Sequence, residues 1–191
     1  MTPNESQLLE ILRDRSFKHG EFTLASGEVS DHYIDGKMSL VFSASAKLIG
    51  EILYERTVEL GIDAIGGLEV GAVPMSTAAV IAYDEHGQEM EGFWVRDKVK
   101  GHGTKKRIEG GLRPGMKVAI VDDVFTKGGS AMKAVQAVRE IGCEVVLVLG
   151  LVDRLAGARQ LFEREGLNFQ VVFDITEFGV EVVDDQLASV G

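Results

Sequence analysis

The stretch EVVLVLGLVD, residues 144–153, is apolar on both of its alternating faces. A strand that keeps one face in water alternates polar with apolar residues. A strand without a polar face is covered on both sides and belongs inside a parallel sheet. This stretch therefore demands helices above and below it, and its surroundings supply them. Residues 62–67 (IDAIGG), 92–98 (GFWVRDK), 116–123 (MKVAIVDD) and 169–175 (FQVVFDI) read as further strands. Residues 74–85, 130–141 and 155–166 read as helices between strands, the second with Met132, Val135, Val138 and Ile141 on one side. Two more helices precede them. One starts at Pro3 and carries Leu8, Ile11, Leu12 and Arg15 on one face; the other carries Leu48, Ile49, Ile52 and Leu53 and stops at Gly61. Alternating strands and helices specify an α/β domain, a parallel sheet with helices on both faces.

In such sheets ligands collect beyond the carboxyl ends of the strands. Asp122, Asp123, Asp153 and the Gly66-Gly67 turn all fall there. Two adjacent carboxylates at the end of an apolar run are costly unless something polar meets them, a cation or a polyol. The next residues, Thr126, Lys127, Gly128, Gly129 and Ser130, lead into a helix. Glycines let main-chain N–H groups converge, and the first turn of a helix leaves N–H donors without partners, so the segment suits a phosphate. The plainer alternative is a turn with Ser130 as an ordinary helix cap. The order Lys-Gly-Gly-Ser is not that of a P-loop, and no G-x-G-x-x-G fingerprint is present. Only 69 residues follow position 122, too few for a receiver domain whose first strand ends in paired acids. One ligand with a sugar and a phosphate satisfies both halves of the segment: carboxylates for vicinal hydroxyls and an N–H cradle for the phosphate.

The chain has 191 residues, enough for one domain with a sizeable core, and a net charge of -10, which disfavours a general nucleic-acid surface. Against that background, Arg96 to Arg107 holds six basic residues and one acid, net +5, with Gly101 and Gly103 flanking His102. A basic, glycine-hinged segment suits a lid over a polyanion; the alternative is a solvated surface loop or a nucleic-acid contact. Cys143 is the only cysteine and reads as a buried filler, no disulfide is possible, and no basic-then-apolar leader or membrane span is seen, which together point to the cytoplasm. His19, His32 and His86 have no metal-ligand spacing and read as surface or packing residues, while Phe93 and Trp94 read as core. The ending GVEVVDDQLASVG reads as a strand and a solvated tail.

VAIVDDVFTKGGS, residues 118–130, resembles the phosphoribosyl pyrophosphate (PRPP) signature of the type I phosphoribosyltransferases. Three further stretches resemble the orotate phosphoribosyltransferases among them: GEFTLASGEVSDHYIDGK at 20–37, FWVRDKVKGHGTKKRIEG at 93–110 and LVDRLAGA at 151–158, with GGLEVGAVP at 66–74 in the place of the pyrophosphate loop. The resemblance implies a single domain over residues 1–191, with residues 1–40 forming a small N-terminal hood over the base site. It implies transfer of phosphoribose from PRPP to orotate with Mg²⁺, held mainly by PRPP and water rather than directly by protein, and a homodimer whose loop reaches the neighbouring site.

By the same resemblance, Lys100 and His102 are loop catalysts beside Asp122 and Asp123. Arg96 grips pyrophosphate, and Lys98, Lys127, Thr126, Gly128, Gly129 and Ser130 complete the PRPP site. Arg154 meets the orotate carboxylate, Thr126 also touches the base, and Tyr33 and Ile34 match positions whose backbone faces it; core packing is the other reading for those two. A strand-end salt bridge with Asp153 or with an acid elsewhere is the other reading for Arg154. Ala25, Gly71 and Asp97 stand where relatives carry cations. The alternatives are a phosphoribosyltransferase for another base and a non-catalytic protein that binds PRPP or a nucleotide.

Overall fold

The computed structural model describes residues 1–23, 29–98 and 106–182. Along the chain the elements are α1 (Pro3–Arg15), β1 (Phe17–Thr23), β2 (Val29–Ile34), α2 (Lys37–Leu40), α3 (Ser43–Thr57), β3 (Ala64–Leu68), α4 (Ala72–Glu85), β4 (Glu91–Val95), β5 (Ile108–Gly110), β6 (Lys117–Phe125), α5 (Gly129–Glu140), β7 (Glu144–Asp153), α6 (Ala158–Arg164) and β8 (Phe169–Asp174). Short 3-10 turns lie at Val58–Leu60 and Ile175–Phe178.

Strands β4, β3, β6, β7 and β8 lie side by side in that order and run parallel, and β5 adds an antiparallel edge to β4. Alternation along β6 divides the core. Ala119 and Val121 join Leu8, Leu12, Ile49, Ile52 and Met75 from α1, α3 and α4 on one face. Val118 and Ile120 join Val135, Val138 and Phe162 from α5 and α6 on the other. β7 is buried without interruption from Leu147 to Asp153, as its unbroken apolar pattern requires. Each large aliphatic side chain removed from water there stabilises the fold by roughly 1.5–3 kcal/mol.

The β1–β2 hairpin forms its own two-stranded sheet. It is tied to the body by Phe17 and Ile34 in the α1–α3 core, by the Asp35 N–H donated to Ser16 O at 2.9 Å, and by Phe17 packing on Phe178 at 5.4 Å. α1 begins with Thr2 and Glu5 in a reciprocal capping box around Pro3.

Several expectations need correction. The strand foreseen over 92–98 ends at Val95, because the chain turns back through β5, which is three residues ending in a glycine and too short to show a period. The helix expected from 155 starts at Ala158, since Leu155 has a positive φ of 56°. Ile141 lies past the end of α5 and is exposed, and Met132 is half-buried. The buried stripe of α5 is built instead from Ala131, Ala134, Val135, Ala137 and Val138, small residues that let the helix lie close to the sheet. Trp94 is half-buried whereas Phe93 is core. Residues 179–182 are not a strand. Cys143 is buried, and its thiol donates to Arg113 O at 3.3 Å.

Candidate active site

β6 carries Asp122 and Asp123 to the carboxyl edge of the sheet, and both are buried. Asp122 Oδ1 accepts the Asp123 N–H at 3.0 Å, so the two carboxyl groups hold a fixed relation. Lys37 Nζ, from α2 at the foot of the hairpin, lies 3.3 Å from Asp123 Oδ2 and 3.6 Å from Asp35 Oδ1. Burial, and then the charge of Asp123, push the Asp122 carboxyl up to about 7. It exchanges its proton near neutrality and can both accept from and donate to a sugar hydroxyl. Burial alone lowers the Lys37 ammonium, but Asp123 and then Asp35 outweigh it and hold Lys37 above the usual lysine range. Lys37 closes the 20–37 stretch, but nothing local to it pointed to a partner on β6.

Two glycines make room for Asp123. A Cβ on Gly36 would come within 2.8 Å of Asp123 Oδ2, and one on Gly71 would run into Asp123 Oδ1 and stand 3.3 Å from Asp122 Oδ1. Gly71, at the start of α4, therefore has a steric reason to lack a side chain. The peptide between Glu69 and Val70, just before it, is cis.

Beyond Phe125 the chain presents Thr126 and Lys127 to solvent and enters α5 at Gly128, whose φ is +77°. Gly128 is the helix cap, and no side chain caps the helix; Ser130 already lies inside the first turn. The simple cap reading of Ser130 is thus set aside. Among the described residues no side chain caps the start of α5, and Thr126 and Ser130 on either side of it are exposed.

Arg96 follows β4 directly. Its Nε and Nη2 donate to a single oxygen of Glu109, at 3.0 and 2.9 Å. Glu109 reaches it because β5 returns antiparallel with Trp94 opposite Glu109. Asp97 is paired with Lys133 of α5 at 2.7 Å, and its N–H donates to Glu69 Oε1 at 3.2 Å. The acid at position 97 thus draws a cation of α5 to the base of the basic segment. Lys98 is exposed. Lys100, His102 and Ala25 lie outside the described residues.

Arg154 stands at the end of β7, its N–H bonded to Phe125 O at 2.9 Å. It does not pair with Asp153. Asp153 is buried, accepts the Leu155 N–H at 2.9 Å, and leaves its other oxygen without a partner among the described residues. Burial pushes its carboxyl up. The Arg154 guanidinium instead approaches Nε2 of His32 on β2 at 3.4 Å. His32 is thus more than the surface or packing residue expected, unlike His86, which stacks on Tyr54 at 4.0 Å. Tyr33 is exposed and packs on Phe22, while Ile34 is core.

Among the described residues no three His, Cys, Asp or Glu gather as a metal site. The oxygens the chain offers a hard cation here are those of Asp122 and Asp123, a pair suited to holding a hydrated ion or the hydroxyls of its ligand. No helix of the described residues is long and apolar enough to cross a membrane.

A parallel sheet clothed on both faces, with an acid pair running into a glycine-led helix, defines a type I phosphoribosyltransferase fold. No family model matches the chain. Curated relatives do: the orotate phosphoribosyltransferase of Bradyrhizobium diazoefficiens is 46% identical over 179 residues, covering 92% of this chain and 96% of the relative. That of Rhodopirellula baltica is 38% identical over 180 residues, covering 91% and 93%. Among solved structures, Mycobacterium tuberculosis orotate phosphoribosyltransferase in complex with PRPP superposes with a TM-score of 0.79 at 34% identity, over 93% of this chain and 100% of the other. The same enzyme in complex with Fe(III) dicitrate gives 0.83 at 37% identity, over 93% and 100%. This chain belongs to the orotate phosphoribosyltransferase family.

Proposed function

We propose that this enzyme transfers the phosphoribosyl group of PRPP to orotate, forming orotidine 5′-monophosphate and pyrophosphate in pyrimidine synthesis. The observation that carries the reading is the buried Asp122–Asp123 pair leading directly into the uncapped N-terminus of α5. The two carboxyl groups accept hydrogen bonds from the ribose hydroxyls. The N–H groups from Gly128 onward, with Thr126, Lys127 and Ser130, take the 5′-phosphate.

In the reaction the bond from ribose C1 to the pyrophosphate oxygen breaks, a ring nitrogen of orotate bonds to C1 in its place, and that nitrogen's proton passes to the departing pyrophosphate or to water. Negative charge grows on the leaving oxygen and positive charge on the ribose. Arg96, Lys98, Lys100 and His102 stabilise the first. Asp122 and Asp123, fixed below the sugar, favour the second. Mg²⁺, when bound, neutralises phosphate charge; Asp122 and Asp123 are the residues that would hold it, through hydroxyls or water. Arg154 pairs with the orotate carboxylate as a planar fork. The hairpin in residues 1–40 covers the base, and the Tyr33 and Ile34 backbone borders it.

We place the enzyme in the cytoplasm as a homodimer in which the segment carrying Lys100 and His102 serves the neighbouring site. Loss of orotate absorbance on mixing enzyme, PRPP and Mg²⁺ tests the activity, and a panel of other bases tests the substrate. No loss of orotate at high enzyme concentration would overturn it. For the shared site, Lys100→Ala and Asp123→Asn subunits, each of low activity, should regain turnover when mixed. No recovery would limit each site to one subunit.

A further inference from the structure

Arg154 has an unusual companion for a residue whose task is to attract an anion. Its Nη2 meets His32 Nε2 at 3.4 Å, and the other ring nitrogen, Nδ1, lies 2.7 Å from Asp31 Oδ1. A guanidinium has donors only, so its contact requires a lone pair on Nε2. The neutral ring then carries its proton on Nδ1, and that proton points at the Asp31 carboxylate. Both contacts are satisfied by one tautomer, and by no other.

We propose that His32 is a positioning residue for orotate binding: as the neutral Nδ1–H tautomer, fixed by Asp31, it orients the Arg154 guanidinium without neutralising it. The inference rests on the reading of Arg154 as the partner of the orotate carboxylate. Its physical content is the choice of a neutral acceptor. A carboxylate at this place would orient Arg154 better but cancel the charge that the substrate needs. No carboxylate among the described residues lies within 4.0 Å of the Arg154 charge, by contrast with Arg96, which Glu109 neutralises.

The ring is held firmly enough for the task. Its side chain is 12% exposed and it stacks on Phe17, 5.9 Å between centroids, and Phe17 is itself core. The described groups that face it are Asp31 and the Ser30 hydroxyl on its own strand, His19 opposite it on β1, Phe17, and Arg154 from the end of β7. Of the charged ones, Asp31 alone is anionic. A second proton on His32 would remove the Nε2 lone pair and set an imidazolium against the guanidinium. Arg154 would then lose its fixed direction.

The test compares His32→Phe, His32→Gln and Arg154→Ala with the parent enzyme, measuring KM for orotate and for PRPP. His32→Phe keeps a ring on Phe17 but offers no acceptor. KM for orotate should rise roughly 2- to 10-fold, the worth of one hydrogen bond, while KM for PRPP stays put. His32→Gln presents an acceptor oxygen near the Nε2 position. It should keep KM for orotate within about twofold of the parent's. The inference is overturned if His32→Phe leaves KM for orotate unchanged, if it raises both KM values alike, or if His32→Gln raises KM for orotate as much as His32→Phe does. Arg154→Ala separates the two layers. A raised orotate KM there with an unaffected His32→Phe removes only the positioning role; an unchanged KM in Arg154→Ala removes the Arg154 assignment itself.

Discussion

The Lys37 ammonium lies 3.3 Å from Asp123 Oδ2, bringing a cation from the foot of the hairpin to the acid pair at the end of β6. Among the described residues it is the only cation within 4.0 Å of either carboxylate. The Lys37→Gln enzyme should therefore keep the Asp122 proton to a higher pH than the parent, whose Asp122 titrates at about 7. PRPP affinity near neutral pH should fall roughly three- to tenfold, a modest figure because Lys37 is half-exposed and screened. Calorimetric titration with PRPP and Mg²⁺ at several pH values reads both effects. An unchanged pH dependence would show that Lys37 does not govern the pair.

Asp122 also makes the unliganded fold sensitive to pH. Its carboxyl is raised to about 7 by burial and by Asp123, from an ordinary carboxylate value in the unfolded chain. A raised acid favours the folded state fully below the unfolded pKa, and this contribution is lost as pH climbs through the folded one. Stability should thus decline from about pH 4 to about pH 7, by up to about 1.4 kcal/mol per pH unit from this group. Asp122→Asn should flatten the decline and stabilise the unliganded protein near neutral pH by on the order of 2 kcal/mol, while lowering PRPP affinity. Urea unfolding at several pH values checks the slope. A parent curve that rises over this window would contradict it.

How much of this was legible in the sequence depended on range. The sheet was readable because a strand buried on both faces must be apolar at successive positions, as β7 is. The acid pair was readable because charge at the end of such a run has no packing explanation. What escaped are partnerships made by folding. Lys37 and Asp123 are 86 positions apart, and Arg154 and His32 are 122 apart, so no local pattern links them. Glu109 meets Arg96 only through β5, whose three residues carry no period. Gly71 could be seen only as a missing cation, because the carboxylate that excludes a side chain there comes from a distant strand.

Gly71 has a helical φ of -58°, which alanine adopts freely, so Gly71→Ala tests crowding without backbone strain. The added methyl would strike the Asp123 carboxylate and approach Asp122. Accommodating it should cost about 1–3 kcal/mol of stability and displace the carboxylate. Because the displaced group is the one proposed to hold ribose, kcat/KM for PRPP should drop roughly 10- to 100-fold. A melting curve together with steady-state kinetics separates the two losses. Kinetics like the parent's would show that the pair tolerates movement.

Gly128→Ala probes the other half of the proposed PRPP site. Gly128 has φ +77°, and a Cβ on it would stand 2.9 Å from the Phe162 ring, which is buried in the core under α5 and α6. Both the backbone and the ring resist the change, so a loss of roughly 1–3 kcal/mol is expected. The start of α5 should shift with it, weakening phosphate binding and leaving Arg154 untouched. KM for PRPP should rise while KM for orotate holds, and equal changes in both would argue against a phosphate site at this turn.

Arg96 gives the sharpest contrast between what a residue is proposed to do and whom it meets. Both of its bonds go to one oxygen of Glu109, and that acid stands where a pyrophosphate group would compete for the same guanidinium. The pair is half-exposed, so Glu109→Gln should change stability by no more than about 1 kcal/mol. It removes one negative charge from beside the guanidinium proposed to grip pyrophosphate while keeping an acceptor that orients Arg96. PRPP should then bind a few-fold tighter, more so at low salt, where exposed charges are least screened. Calorimetry at two ionic strengths measures this. Weaker PRPP binding in Glu109→Gln would mean instead that the full carboxylate is needed to aim Arg96, and that Glu109 belongs to the binding machinery rather than in competition with the substrate.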